Sequence, residues 1–299
     1  MVKQISDKEV KFLRSQVLVS QDFSCFGQVS LQTALPLISA SGANVSTLPT
    51  ALLSTHTGGF AENTYLDLSL EMARIITHWQ KLKLTFDGVY LGYLGLKPLK
   101  ELQKSLSTLT TPKTLVLIDP VMGDNGHLYH GFDQEYVNAM KELIQRANIL
   151  TPNLTEAAFL LDQPQLLNGG IKEASIAVKQ LQERFGIPFI LITGIPLAND
   201  QIAVVGCQKT TGEIWVKTQT RFPASYFGTG DIFAAALFAA VISGHSIQLS
   251  CDIALELLHM AIRARQEESQ SDPRVGLNYN SALPKFLKQL AQGETNDRR

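Results

Sequence analysis

Short apolar runs alternate with amphipathic stretches through most of the chain. Runs at 16–20, 88–91, 114–118, 188–193 and 201–207 are rich in Val, Ile, Leu and Phe. Several are almost wholly apolar, as befits strands of a parallel sheet covered on both faces. Between them the spacing turns helical. Ala174, Ala177, Val178, Leu181 and Phe185 recur at one-face spacing, and so do Ile253, Leu257, Ala261 and Ala264. Strand–helix alternation of this kind predicts an open α/β sheet of mostly parallel strands. From 201 to 218 two strand-like runs adjoin with no helix between them, which predicts an antiparallel hairpin at the sheet edge, turning at 209–212.

Composition narrows the classes. The chain has 299 residues, of which 45% are hydrophobic and 18% charged, and its formal net charge is −1. It is too apolar and too near neutral for a disordered chain. It has no basic excess to hold nucleic acid. Length alone allows one or two domains. No composition break, repeat or linker divides the chain, so the expectation is one domain over 1–299, with 1–14 and 291–299 peripheral. Cys25, Cys207 and Cys251 show neither a disulfide framework nor zinc-ligand spacing, which suits a reducing cytoplasm. The charged N-terminal stretch lacks the apolar core of a secretory signal. The longest apolar run, 232–242, is too short to span a bilayer, which takes ~20 residues.

In open parallel sheets ligands bind beyond the carboxyl ends of the strands. The residues just after the apolar runs are therefore the candidates for chemistry. Phe227-Gly228-Thr229-Gly230-Asp231 precedes a long apolar helix. Its glycines let backbone amides approach an anion at the helix N-terminus. Asp231, in the first turn, could take a proton from an attacking hydroxyl. The plainer reading is a tight turn with a favourable first-turn charge. Asp119-Pro120-Val121-Met122-Gly123-Asp124 leaves the strand TLVLI with two acidic groups, suited to magnesium or an ordinary turn. Asn153 and Glu156 fit a capping box, aimed at the same edge. Thr193-Gly194 comes after the run FILI, where the default is a strand-ending turn. The P-loop and dinucleotide fingerprints are both absent.

These four segments, in this order, resemble the ribokinase-like superfamily of small-molecule kinases, and most of all its vitamin B6 branch, the pyridoxal/pyridoxamine kinases. The resemblance covers roughly 16–265 and includes the Ser24-Cys25-Phe26-Gly27 loop, the STHTGGF segment at 54–60 and Gly92-Tyr93-Leu94-Gly95. It implies a three-layer α/β/α fold and ATP-dependent phosphorylation of a primary hydroxyl. By that resemblance Asp231 is the general base, and the amides of Gly228, Thr229 and Gly230 hold charge on the transferring phosphoryl group. Asp119, Asn153, Glu156, Thr193 and Gly194 line the nucleotide. Asp119, Asp124 and Glu156 are candidates for direct or water-mediated Mg2+ contacts, with a monovalent cation such as K+ as a further expectation. Asp22, Ser24, His56, Thr57 and Tyr93 enclose the B6 vitamer. The loop 123–132, with His127, Tyr129 and His130, is a candidate cover. Cys25 reads as a small buried side chain. His78, His245 and His259 read as packing or surface residues, and Tyr226 and Phe227 as pocket-edge or packing residues.

The sequence departs from the B6 pattern at Asp22, where those kinases often carry Ser. Pyrimidine kinases have an acidic residue near there. A hydroxymethylpyrimidine kinase of thiamine synthesis is thus the alternative, with a non-catalytic nucleotide- or vitamer-binding homologue after it. The expected partners are the small substrates and a second copy in a homodimer, with no nucleic acid and no membrane.

Overall fold

The structure is a computed structural model, and it describes residues 14–222, 226–267 and 272–292. The expected peripheral ends, 1–14 and 291–299, fall almost entirely outside the described residues. The chain opens with β1 (Gln16–Ser20), β2 (Phe23–Phe26), α1 (Ser30–Ser39), β3 (Asn44–Thr47), β4 (Ala51–Thr55) and β5 (Tyr65–Asp67). It continues through α2 (Ser69–Lys81), β6 (Phe86–Leu91), α3 (Leu96–Leu109), β7 (Thr110–Ile118), β8 (Gly123–Asp124) and β9 (His127–Leu128). Next come α4 (Gln134–Leu143), β10 (Ile149–Leu150), α5 (Leu154–Leu161), α6 (Ile171–Phe185) and β11 (Phe189–Leu197). It closes with β12 (Gln201–Gln208), β13 (Ile214–Thr220), α7 (Thr229–Ile242), α8 (Ile247–Glu267) and α9 (Leu283–Leu290).

Eight strands form the central sheet in the order β13-β12-β11-β10-β7-β6-β1-β3. From β3 to β11 all neighbours are parallel, while β12 and β13 run antiparallel at one edge. The predicted parallel sheet and edge hairpin are both present. Strand residues alternate between two cores, as period-2 geometry requires. Leu18, Leu91, Ile118 and Leu150 point into the core under α2–α6. Val19, Tyr90, Leu117 and Ile149 point into the core under α1, α7, α8 and α9. The result is the expected three-layer α/β/α architecture.

Helix α7 is apolar on every side, and its residues from Ile232 to Ala240 are all buried. A helix hydrophobic all round belongs inside. It lies between the sheet and α8, so its N-terminus is pinned at the carboxyl edge of the parallel strands.

Several elements differ from the sequence reading. β11 does not stop at Thr193 but runs to Leu197 through an irregularity between Ile192 and Ile195. The left-handed Gly194, φ +73°, absorbs that irregularity within the strand. A second sheet, β2-β4-β5, and the ribbon β8-β9 also lacked an apolar signal, because their strands are short and half exposed.

Candidate active site

The turn into α7 requires glycine on two counts. Gly228 has φ +80°, and a Cβ there would lie 2.9 Å from the Gln28 carbonyl oxygen. Thr229, Gly230 and Asp231 form the first helical turn, where backbone amides have no acceptor within the helix. Gly230 is exposed and Thr229 half-buried, so these donors face open space. Asp231 Oδ2 accepts the Ser30 amide at 2.9 Å, which ties the start of α1 to the start of α7. Burial raises the Asp231 carboxyl above its ordinary range, while the Ser30 amide and nearby His56 oppose the rise.

Asp22 comes after β1 and is 4% exposed. Ser24 Oγ donates to its Oδ2 at 3.0 Å. Burial pushes Asp22 up to about 6, with the negative Asp231 adding to the rise. Asp119 comes after β7, and Thr151 Oγ1 donates to its Oδ1 at 3.1 Å. Burial, then Asp231, pushes it up to about 7. Among the described residues no Lys or Arg forms an ion pair with Asp22, Asp119, Glu156 or Asp231. The carboxyl edge therefore holds four acidic groups beside a row of backbone donors.

The capping box of α5 is present. Asn153 Oδ1 accepts the Glu156 amide at 2.8 Å, and Glu156 Oε2 accepts the Asn153 amide at 2.9 Å. Both side chains also reach outward. Glu156 Oε1 accepts the Met122 amide at 3.1 Å, and Asn153 Nδ2 donates to the Gly123 carbonyl at 2.9 Å. Both oxygens of the buried Glu156 are thus engaged. Asp124 is exposed, and its oxygens accept from the amide and the side chain of Asn125 at 2.8 and 3.0 Å. Thr193 donates its amide to the Pro152 carbonyl at 2.9 Å, which sets β11 beside the entry to α5. Gly194 is exposed, with open space where a Cβ would be.

No group of three or more His, Cys, Asp and Glu side chains that could cage a metal exists among the described residues. Magnesium seldom needs one, because it keeps waters and shares a substrate's phosphates. Asp119 Oδ2 takes no hydrogen bond and faces Gly230, 3.8 Å from where a Cβ would sit there. That donor set fits a metal delivered with a phosphate ligand.

His56 is buried, and both ring nitrogens are engaged. Nδ1 accepts the Gly58 amide at 3.1 Å, so Nε2 carries the proton it gives to the Arg274 carbonyl at 2.6 Å. Its ring meets Phe60 and Phe227 at 4.9 and 4.6 Å. The Arg274 guanidinium stands 4.7 Å over Phe60. His56 thus gathers the 56–60 loop, the approach to α7 and the 272–276 turn. Tyr93 stacks on Phe132 at 5.3 Å, and Phe132 on Tyr136 at 3.8 Å. Burial raises the Tyr93 phenol, and Asp22 lies close enough to add to the effect. Thr57 is exposed.

Cys25 is exposed rather than buried, because it lies on the outward face of β2, opposite in parity to the buried Ser24. Of the three histidines read as packing or surface residues, His78 is exposed and His245 buried. Phe227 packs on His56 while staying 39% exposed. The segment 151–157 stood out in the sequence, but Thr151 and Thr155 within it had no role there, and Ser30 and the 272–276 turn gave no signal. The Ser30 amide and the Arg274 and Val275 carbonyls are backbone groups, which leave no side-chain signature.

The chain matches the profile of the phosphomethylpyrimidine kinase family over residues 31–275. Its structure is similar to pyridoxal kinase from Lactobacillus plantarum, with 34% identity, a TM-score of 0.84, and coverage of 92% of this chain and 97% of that one. It is also similar to a Bacteroides thetaiotaomicron protein named for phosphomethylpyrimidine kinase and crystallised with pyridoxal. There the identity is 33% and the TM-score 0.85, with 95% and 98% of the two chains covered. A Bordetella avium pyridoxine/pyridoxal/pyridoxamine kinase is 26% identical over 253 residues, covering 79% of this chain and 81% of that protein. The chain belongs to the phosphomethylpyrimidine kinase family, and it shares the ribokinase-like fold of the pyridoxal kinases it resembles.

Proposed function

We propose that the chain is an ATP-dependent kinase that phosphorylates the hydroxymethyl group of pyridoxal, pyridoxine or pyridoxamine to the 5′-phosphate. One observation carries the chemistry: Asp231 stands in the same helical turn as the open amides of Thr229 and Gly230. A base and an anion hole are thereby fixed relative to each other by the backbone itself. Asp231 takes the proton of the hydroxymethyl group as its oxygen attacks the γ-phosphorus of ATP. The bond to the β-phosphate oxygen breaks and ADP leaves. The amides of Gly228, Thr229 and Gly230 stabilise charge on the phosphoryl oxygens in transit. Such transfer asks mainly for positioning and electrostatics.

Magnesium, bound with the nucleotide, would supply neutralising charge along the triphosphate. Asp119 would hold it directly, and Asp124 and Glu156 through water. Asn153, Thr193 and Gly194 border the nucleotide side. Asp22, Ser24, Thr57 and Tyr93 border the ring, with His56 shaping that wall from behind. A homodimer, a monovalent cation and a cytoplasmic setting belong to the same reading and rest on the family resemblance. No helix among the described residues is long and apolar enough to cross a membrane.

A hydroxymethylpyrimidine kinase is the second reading, favoured by the acidic Asp22 and by the name of the matched family. One assay decides between them, with the three B6 vitamers and hydroxymethylpyrimidine offered side by side with ATP and magnesium. Faster phosphorylation of a B6 vitamer is the expected result. Preference for the pyrimidine would transfer the assignment, and binding without ADP release would end the enzyme reading.

A further inference from the structure

The ribbon β8–β9 is a two-residue pair that joins neither sheet. A hairpin of that size has little stability of its own. Its turn, Asn125–Gly126, has φ +50° and +82°, the left-handed pair of a tight two-residue hairpin. The first turn of α5 seats it. Glu156 and Asn153 hold its base at Met122 and Gly123, and Thr155 Oγ1 accepts the amide of Gly126, at its tip, at 3.0 Å. Asn153 and Glu156 also cap α5, so neither can be altered without unsettling the helix. Thr155 takes no part in that cap. It is 4% exposed, and its hydroxyl serves the ribbon. Leu167 bounds the tip on another side, 3.2 Å from where a Cβ on Gly126 would lie.

The ribbon also sets the position of Tyr129, the residue just beyond β9. The Tyr129 amide donates to the Met122 carbonyl at 2.9 Å. The ribbon thus leaves the segment that starts at Asp119, is anchored at its base to Asn153 and Glu156, and rests its tip on one side chain. We propose that Thr155 is a positioning residue for the nucleotide: by holding the Gly126 amide it fixes the ribbon, and with it Tyr129, over the phosphates. This rests on the kinase reading.

T155V keeps the side chain's shape and removes the acceptor, and T155S restores it. In calorimetric titration with ATP and magnesium, T155V is expected to bind roughly 3- to 10-fold more weakly than the parent, the effect of one hydrogen bond, with T155S within about twofold of the parent. Amide exchange across 122–129 should quicken in T155V and not in T155S, while KM for pyridoxal stays put. L167A, which loosens the tip from its apolar side, should weaken ATP in the same direction and serves if T155V does not fold. Equal ATP affinity in T155V and the parent overturns the proposal, as does T155S behaving like T155V. A parent protein that binds ATP yet phosphorylates no vitamer defeats the substrate assignment and leaves this binding comparison to judge Thr155.

Discussion

At the scale of single residues, the site gathers Asp22, Asp119, Glu156 and Asp231, four carboxyls that burial holds above their ordinary range. Asp231→Asn keeps the shape and removes the base. Its turnover is expected to fall by ~10²–10⁴ while ATP still binds, as is usual when a general base is lost. Near-normal turnover would take Asp231 out of that role. Asp22 makes a second, thermodynamic prediction. Its carboxyl has a reference value of 3.8 and lies at about 6 in the folded chain. Between those values the folded state keeps a proton that the unfolded state has lost. Stability contributed by Asp22 is therefore present below about 4 and lost as pH rises to about 6. Asp22→Asn should raise the ligand-free Tm at pH 7.5 by about 2–4 °C and leave it nearly unchanged at pH 4. A gain that is equal at both pH values would show that Asp22 is not held protonated by burial.

At the scale of elements, the entry to α7 is the most demanding joint. Gly228→Ala asks a side chain to adopt φ +80° and to sit 2.9 Å from the Gln28 carbonyl oxygen. It should cost about 2 kcal/mol or more of stability and lower kcat at least tenfold, because the amides of the anion hole move with the turn. Unchanged kcat in a folded Gly228→Ala protein would mean that the turn's geometry is not what the chemistry uses. This joint was legible in the sequence as a glycine turn into an all-apolar helix, a local pattern, and its chemical reading came from the ordered set of segments. The capping box at Asn153 and Glu156 was legible for the same reason, being a local pattern. The β2-β4-β5 sheet was not, because Phe23, Ser24, Cys25 and Phe26 show no clean alternation and get their order from β4. His56 was legible as a residue of the site but not as a clamp. Its partners, the Gly58 amide and the Arg274 carbonyl, are backbone groups, one of them 218 positions away.

At the scale of the whole molecule, residues from both ends of the chain meet over the site. The Gln28 amide donates to the Val275 carbonyl at 2.6 Å, and Ser30 to Asp231 across 201 positions. Each pair joins the N-terminal part, which carries Asp22, to the C-terminal part, which carries the anion hole. The formal net charge of −1 means that no broad positive field holds a triphosphate, so affinity has to come from local amides, a metal and helix ends. A ligand gripped that way touches both parts at once. The chain should therefore unfold as one domain, and ATP with magnesium should raise the whole transition. At a hundredfold excess over Kd the gain is about 2.7 kcal/mol, which shifts Tm by several degrees in a chain of this size. Differential scanning calorimetry with and without ligand tests both parts of the argument. One peak moving as a unit is the expected trace. Two peaks, with the nucleotide shifting only one, would divide the chain into parts that fold separately and place the nucleotide on one of them.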